Sequence, residues 1–247
     1  MKSPSHPDRR RRDFLKATAA AAVVGTIGWP ARLAAVESKP MKIGMIGSGN
    51  VGSALGRSWA RAGHPVMFSS RHLEDDKRLA ADIGGNARAG TLREAAVFGD
   101  VLVFAVPYGA LPELGQALRD SIKGKVVIDA CNPFPRRDGE IAERAREKGA
   151  GLMSAELLPG ARIVRAFNAV GADRMGQAHE QPGRIGMPIA GDDEEALDIA
   201  STLIREIGYE PVRIGGLEMG KYLMPGTPLA GERTPEEIRK ITATLQP

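Results

Sequence analysis

The residues whose types and spacing suggest chemistry lie between Met41 and Arg71. Gly47-Ser48-Gly49-Asn50-Val51-Gly52 sets three glycines in the G-x-G-x-x-G spacing, and Ser69-Ser70-Arg71 follows about 20 residues on. That pattern suits a dinucleotide. Gly47 permits a tight turn, Gly49 lets backbone approach a pyrophosphate with no Cβ in the way, and Gly52 lets the following helix pack closely on the preceding strand. The free N–H groups and positive dipole end of a helix starting near Asn50 would face the phosphates. Glycine is frequent here, at 30 of 247 residues, so the spacing alone arises by chance. Its setting gives it weight: Lys42-Ile43-Gly44-Met45-Ile46 reads as a buried strand before the turn, and Ala54 to Ala62 as a helix after it.

A site for NAD usually carries Asp or Glu at the end of the second strand, where it accepts hydrogen bonds from ribose hydroxyls. Here the strand Val66-Met67-Phe68 ends in Ser69, Ser70 and Arg71. Two hydroxyl donors and a guanidinium that can pair with a 2′-phosphate and stack on adenine favour NADP(H). The alternative is an ordinary solvated Arg71, for which Glu74, Asp75 and Asp76 compete.

Around this unit, strands and helices alternate. Glu74 to Ile83 has helical spacing, Ala87 to Ala89 is a short extended piece, and Thr91 with Glu94 forms a capping box for a helix over Leu92 to Phe98. Val101 to Val106 is a continuous apolar run, as in a parallel sheet covered on both faces. Further helices are predicted over Ala110 to Asp120, Gly139 to Lys148, Ala155 to Leu158, Glu194 to Ile207 and Pro235 to Leu245. Further strands are predicted over Lys125 to Ala130, Arg162 to Phe167, Ile185 to Ala190 and Tyr209 to Ile214. Pro188 places the Ile185 strand near an edge or a strand end. The expectation is an α/β fold, a doubly wound, mostly parallel sheet of Rossmann type.

The first 35 residues read as an export signal with a basic start, a short apolar core and a small-residue exit. Arg11-Arg12 followed by Asp13-Phe14-Leu15-Lys16 resembles a twin-arginine motif, Ala17 to Trp29 is too short for a bilayer span, and Leu33-Ala34-Ala35 offers a cleavage site. The division expected is an export signal over residues 1–35 and a single NADP-binding domain over residues 36–247, exported by the twin-arginine machinery to the periplasm. The signal holds seven of the 34 basic and two of the 30 acidic residues, so the remainder carries 27 and 28, a net charge of −1 against +4 for the whole chain. The basic balance therefore belongs to the leader and does not argue for nucleic acid. No membrane span is expected in the mature chain, and a homodimer is compatible with the sequence. Cys131, the single cysteine, excludes an intrachain disulfide and reads as a buried small residue beside a strand end. The histidines show no ligand spacing, so no metal site is expected, and His64 before Pro65 reads as a turn residue.

With the strand ends placed, the chain resembles the coenzyme F420-dependent NADP oxidoreductase family and the related reductase domain of the STEAP metalloreductases. The resemblance rests on Ile46 to Gly52, Ser70-Arg71, Ala105-Val106-Pro107, Asp129 to Pro133, Val164 to Asn168 and Pro188 to Asp193. It implies NADP(H) at the switch point of the sheet, with hydride passing between the nicotinamide and a planar redox acceptor stacked on it: F420, or a flavin such as FMN or FAD. By the same resemblance Pro107, Val106 and Tyr108 line the nicotinamide pocket, while Asn132, Asn168 and Val170 face the second cofactor. Such a transfer needs no protein acid or base, so no catalytic residue is assigned. Asn132 otherwise reads as a turn residue before Pro133, and Asn168 as the cap of a following helix. Leu217 to Pro225 aligns with the family's tail over the flavin, and the absence of a transmembrane haem domain sets the chain apart from a complete metalloreductase. The competing readings are a non-catalytic NADP-binding module and an enzyme of pyrroline-5-carboxylate reductase or 3-hydroxyacid dehydrogenase type, whose long helical domain is missing here.

Overall fold

Eight strands make one sheet in the computed structural model, which describes Met1 and residues 39–247. The export segment expected over residues 1–35 lies outside the described residues, apart from Met1. In chain order the elements are β1 (Ile43–Ile46), α1 (Asn50–Arg61), β2 (Val66–Ser69), α2 (Leu73–Ile83), β3 (Ala87–Ala89), α3 (Leu92–Phe98), β4 (Val101–Phe104), α4 (Leu111–Ala117), α5 (Arg119–Ile122), β5 (Val126–Asp129), α6 (Pro135–Asp138), α7 (Glu140–Lys148), α8 (Ala150–Leu157), β6 (Arg162–Arg165), β7 (Gly186–Gly191), α9 (Glu194–Glu206), β8 (Glu210–Gly215) and α10 (Pro235–Thr242).

The strand order is β3-β2-β1-β4-β5-β6-β7-β8, and every pairing is parallel except β6 with β7. The chain winds outward from β1 to β3, then crosses back to place β4 on the other side of β1. The helices on either side of such a reversal diverge, which opens a crevice at the carboxyl ends of β1 and β4. Strands β1, β4 and β5 are buried along their whole length, the pattern of a sheet covered on both faces.

One core lies under α1 and α9, where Trp59 is fully buried and its Nε1–H donates to the Leu203 carbonyl at 2.8 Å. Phe167, the described non-glycine residue at positive φ (67°), packs edge-on against Trp59 and Tyr209, each at a centroid distance of 5.8 Å. A second core lies under α3, α4 and α8. The Thr91 capping box of α3 forms as the sequence predicts.

Three elements depart from expectation. The helix expected over Ala110 to Asp120 is a 3₁₀ turn at Tyr108–Ala110 followed by α4 and α5, the two parting at Leu118. The helix expected over Ala155 to Leu158 begins earlier, at Ala150, directly after Gly149 at φ 99°. Pro188 does not break β7, which is continuous and fully buried. The pairing with β6 involves only Ala190 and Gly191, so Pro188 sits where the strand has β8 alone for a neighbour.

His64 also does more than turn the chain. It is 2% exposed, its Nδ1 accepts from the Met41 N–H at 3.0 Å, and its Nε2 lies 2.7 Å from Glu206 Oε2. Since Nδ1 is an acceptor, the ring proton sits on Nε2 and is donated to the carboxylate.

Candidate functional site

The crevice between β1 and β4 is an open cleft of about 600 Å³, lined by Gly47, Ser48 and Gly49 of the glycine turn, by Ser70 and Arg71 after β2, and by Ala105, Val106 and Pro107 after β4. Leu92 and Leu114 add apolar surface, and His72, Asp75 and Glu113 stand at its rim. Most of these residues follow strand ends or lie in the first turn of a helix, so the topology brings them together; Leu114 reaches the cleft from the middle of α4.

The three glycines of the turn are small for different reasons. A Cβ on Gly47, which adopts φ 104°, would lie 2.4 Å from the Ala105 carbonyl oxygen, and one on Gly52 would lie 1.9 Å from the Gly47 oxygen. The protein's own packing therefore requires both. A Cβ on Gly49 would meet nothing within 4 Å. Gly49 is the N-cap of α1 at φ −64°, a value open to any residue, and no side chain caps that helix. Its missing side chain leaves open space over the first N–H groups of α1, the arrangement that accepts a phosphate. Asn50 opens the helix and is exposed, while Val51 packs against the core.

After β2, Arg71 is exposed and makes no ion pair or hydrogen bond among the described residues. The acids that could compete for it are engaged elsewhere. Glu74 pairs with Lys77 at 2.7 Å, Asp75 pairs with Arg78, and Asp76, fully buried, accepts the hydroxyls of Ser48 and Ser70. The guanidinium is left facing the cleft with its five donors.

Several expected site residues sit differently. Ser69 is fully buried and donates its hydroxyl to the Met45 carbonyl at 2.6 Å, so it offers no donor to a ligand. The Ser70 hydroxyl is likewise used, donated to Asp76 Oδ2 at 2.8 Å while accepting from the His72 N–H at 3.0 Å. Val106 and Pro107 line the cleft as expected, but Tyr108 turns away from it. Its ring is fully buried in the second core, and its hydroxyl lies 3.0 Å from the Ala150 carbonyl and 3.1 Å from Ser154 Oγ. Burial, aided by the nearby Asp129 charge, holds the Tyr108 phenol far above its ordinary pKa, so it stays neutral.

Asn132 and Asn168 do come together at the carboxyl ends of β5 and β6, but they bind each other's segments. Asn132 Nδ2 donates to the Asn168 carbonyl at 2.8 Å, and Asn168 Nδ2 to the Cys131 carbonyl at 3.2 Å. No helix starts after Asn168, so it is not a cap. The Oδ1 atoms of both side chains are buried without a partner. Val170 is 6% exposed and belongs to the first core, not to the cleft. Cys131 is buried, with its thiol pushed well up by burial and by Asp129. The segment Leu217 to Leu223 is a 3₁₀ stretch packed on α8 and β7.

Among the cleft residues, sequence reasoning missed Leu92, Leu114, Glu113 and His72, and it treated Asp76, which bonds Ser48 and Ser70 of the cleft, only as a competitor for Arg71. The apolar spacing of helices α3 and α4 marks Leu92 and Leu114 as inward-facing, but not which of them reach the cleft. No group of His, Cys, Asp and Glu among the described residues is arranged to hold a metal ion, and no described helix is long and apolar enough to cross a membrane.

A doubly wound sheet with a glycine turn at its switch point, a helix N-terminus open to a phosphate and an unpaired arginine after β2 define a Rossmann-type domain for a phosphorylated dinucleotide. Residues 42–133 match the model of the family described as NADP oxidoreductase, coenzyme F420-dependent. The F420-dependent NADP reductase of Methanothermobacter thermautotrophicus is 31% identical over 206 residues, spanning 76% of this chain and 87% of that protein. The metalloreductase STEAP3 of Rattus norvegicus is 29% identical over 75% of this chain, which spans 36% of that larger protein. Among solved structures, a hypothetical protein of Sinorhizobium meliloti superposes with a TM-score of 0.65 at 26% identity, covering 79% of this chain and 95% of that one. The chain belongs to the coenzyme F420-dependent NADP oxidoreductase family and is an NADP-dependent oxidoreductase.

Proposed function

We propose that this chain transfers hydride between NADP(H) and a deazaflavin of the F420 type. The observation that carries the reading is the cleft, which is lined both by Gly49, with open space where a side chain would stand, and by the unpaired Arg71, so that it presents two anion sites. An extended cofactor with a central pyrophosphate and a 2′-phosphate matches that pair. The relatives named F420-dependent NADP reductases support the choice of acceptor.

In this reading NADPH supplies a hydride and the deazaflavin ring accepts it, with a proton from solvent completing the reduced ring. The protein's contribution is positional. The backbone N–H groups at the start of α1 hold the pyrophosphate, and Arg71 takes the 2′-phosphate as a charge-assisted partner. Val106 and Pro107 give the nicotinamide an apolar surface that excludes water from one face.

The reading extends to the leader: residues 1–35 direct export of the folded protein by the twin-arginine route. NADPH is not supplied outside the cytoplasm, so the cofactor would travel bound. Purified periplasmic protein free of nucleotide would remove that part of the proposal.

The enzymatic reading is tested by calorimetric titration of the protein with NADPH and NADH, followed by addition of F420 or FMN while NADPH absorbance is followed. Tight NADPH binding with oxidation by F420 is the expected result. Oxidation by FMN alone would make the acceptor a flavin, and tight binding without oxidation by either would make the chain an NADP-holding module.

A further inference from the structure

Asp76 is a fully buried carboxylate beside two proposed phosphate subsites, where its charge would repel the ligand. An acid in that place needs a compensating role. Its surroundings supply one: one hydroxyl comes from Ser48, inside the glycine turn, and the other, at 2.8 Å, from Ser70, immediately before Arg71. Asp76 itself lies in the first turn of α2, with its N–H donating to the His72 carbonyl at 3.2 Å. The carboxyl group therefore lies at the N-terminal end of its own helix.

We infer that Asp76 is a positioning residue that sets the spacing between the pyrophosphate turn and the Arg71 arm, and with it the preference for NADPH over NADH. The inference rests on the NADP reading above. The carboxylate ties the glycine turn to the segment after β2, and the loop carrying Arg71 is closed on both sides. Ser70 donates to Asp76, and the His72 N–H donates back to Ser70 Oγ at 3.0 Å, so Arg71 sits at the tip of a fixed three-residue bend. An arginine on a loose arm would lose side-chain and backbone entropy on pairing with the 2′-phosphate. On this bend much of that cost is met during folding. The same bonds draw the Ser48 hydroxyl away from the pyrophosphate and leave the backbone N–H groups as its donors.

The test measures Kd for NADPH and for NADH, with thermal unfolding as a check on folding, in the full chain and in Asp76→Asn, Ser70→Ala, Ser70→Thr, Arg71→Ala and the Asp76→Asn/Arg71→Ala double variant. Asn is isosteric with Asp but accepts one hydroxyl instead of two. The expected result is a fall of about tenfold in the NADPH-over-NADH preference for Asp76→Asn, the size of one lost bond to a charged group. Ser70→Ala should reproduce the fall and Ser70→Thr should restore the preference. Asp76→Asn should have no further effect on the preference once Arg71 is alanine. Equal weakening of both cofactors, a preference unchanged in Ser70→Ala, or a preference raised in Asp76→Asn would each overturn the inference, the last by showing that the charge merely repels the 2′-phosphate. If the unmodified protein binds neither cofactor, the NADP reading fails instead.

Discussion

Arg165 and Asp129 face each other across β6 and β5 as a wholly buried ion pair, Nη1 to Oδ2 at 2.6 Å with both side chains fully excluded from water. Arg165 Nη2 donates to the Cys131 carbonyl at 3.1 Å, and Asp129 Oδ1 accepts the Cys131 N–H at 2.9 Å. The pair therefore pins the backbone at the carboxyl end of the sheet. Its arginine stem passes between two glycines, where a Cβ on Gly151 or Gly220 would lie 3.1 or 2.8 Å from Arg165 Cδ.

Removing one partner should be far worse than removing both. Arg165→Met should cost about 3–5 kcal/mol of stability, because it strands a buried carboxylate, while Arg165→Met combined with Asp129→Leu should recover most of the loss. Urea unfolding of the three proteins checks this, and equal losses in the single and double variants would refute it.

Gly49 and Gly52 separate ligand binding from folding. Gly49→Ala fills open space and should leave the unfolding midpoint nearly unchanged while weakening NADPH. Gly52→Ala drives a methyl into the Gly47 carbonyl and should destabilise the fold by about 1–3 kcal/mol. Thermal melts beside calorimetric titrations distinguish the two effects.

For Arg71, alanine should lower NADPH affinity by about 10- to 100-fold and leave NADH affinity within a few-fold, since only NADPH carries the 2′-phosphate. An equal loss for both cofactors would remove Arg71 from that role.

Because the Tyr108 hydroxyl points into the core, Tyr108→Phe should cost about 1 kcal/mol of stability and leave hydride transfer intact. A large fall in kcat with unchanged stability would return the phenol to the site.

Acid should loosen the start of α9. Asp193 caps that helix through the Ala196 N–H at 2.9 Å and is gripped by the Arg162 guanidinium at 2.6 and 2.7 Å. These bonds, the Arg162 pair first, hold its carboxyl down from an ordinary 3.8 to about 2. A depressed folded pKa gives stability that is fully present above the unfolded value and lost as pH falls through the folded one. Asp193→Ala should therefore melt earlier than the parent at neutral pH, and the difference should shrink between roughly pH 4 and pH 2. A difference independent of pH would refute the linkage.

The nucleotide half was legible because its signals are local. The glycine spacing, the strand before it and the capping box at Thr91 each lie within a few residues, and all appear where expected. Helix α8 was legible only in part, since its start depends on Gly149 and on the packing of Gly151 against Leu217, neither marked by amphipathic spacing. Side-chain direction at the strand ends was not legible at all. Tyr108 stands beside the cleft residue Pro107, yet its orientation is decided by Ala150 and Ser154, far along the chain. Asp76 was hidden for the same reason: within an acidic run its neighbours are solvated, and only the fold shows which carboxylate turns inward.

Trp59 binds α1 to α9 through the Leu203 carbonyl and to Phe167 through its ring. The helix whose first N–H groups would hold the pyrophosphate in the proposed function is thus moored at its other end to the far half of the sheet. An anion docking at Gly49 meets an end already held in place, and its binding need not supply the ordering of that helix.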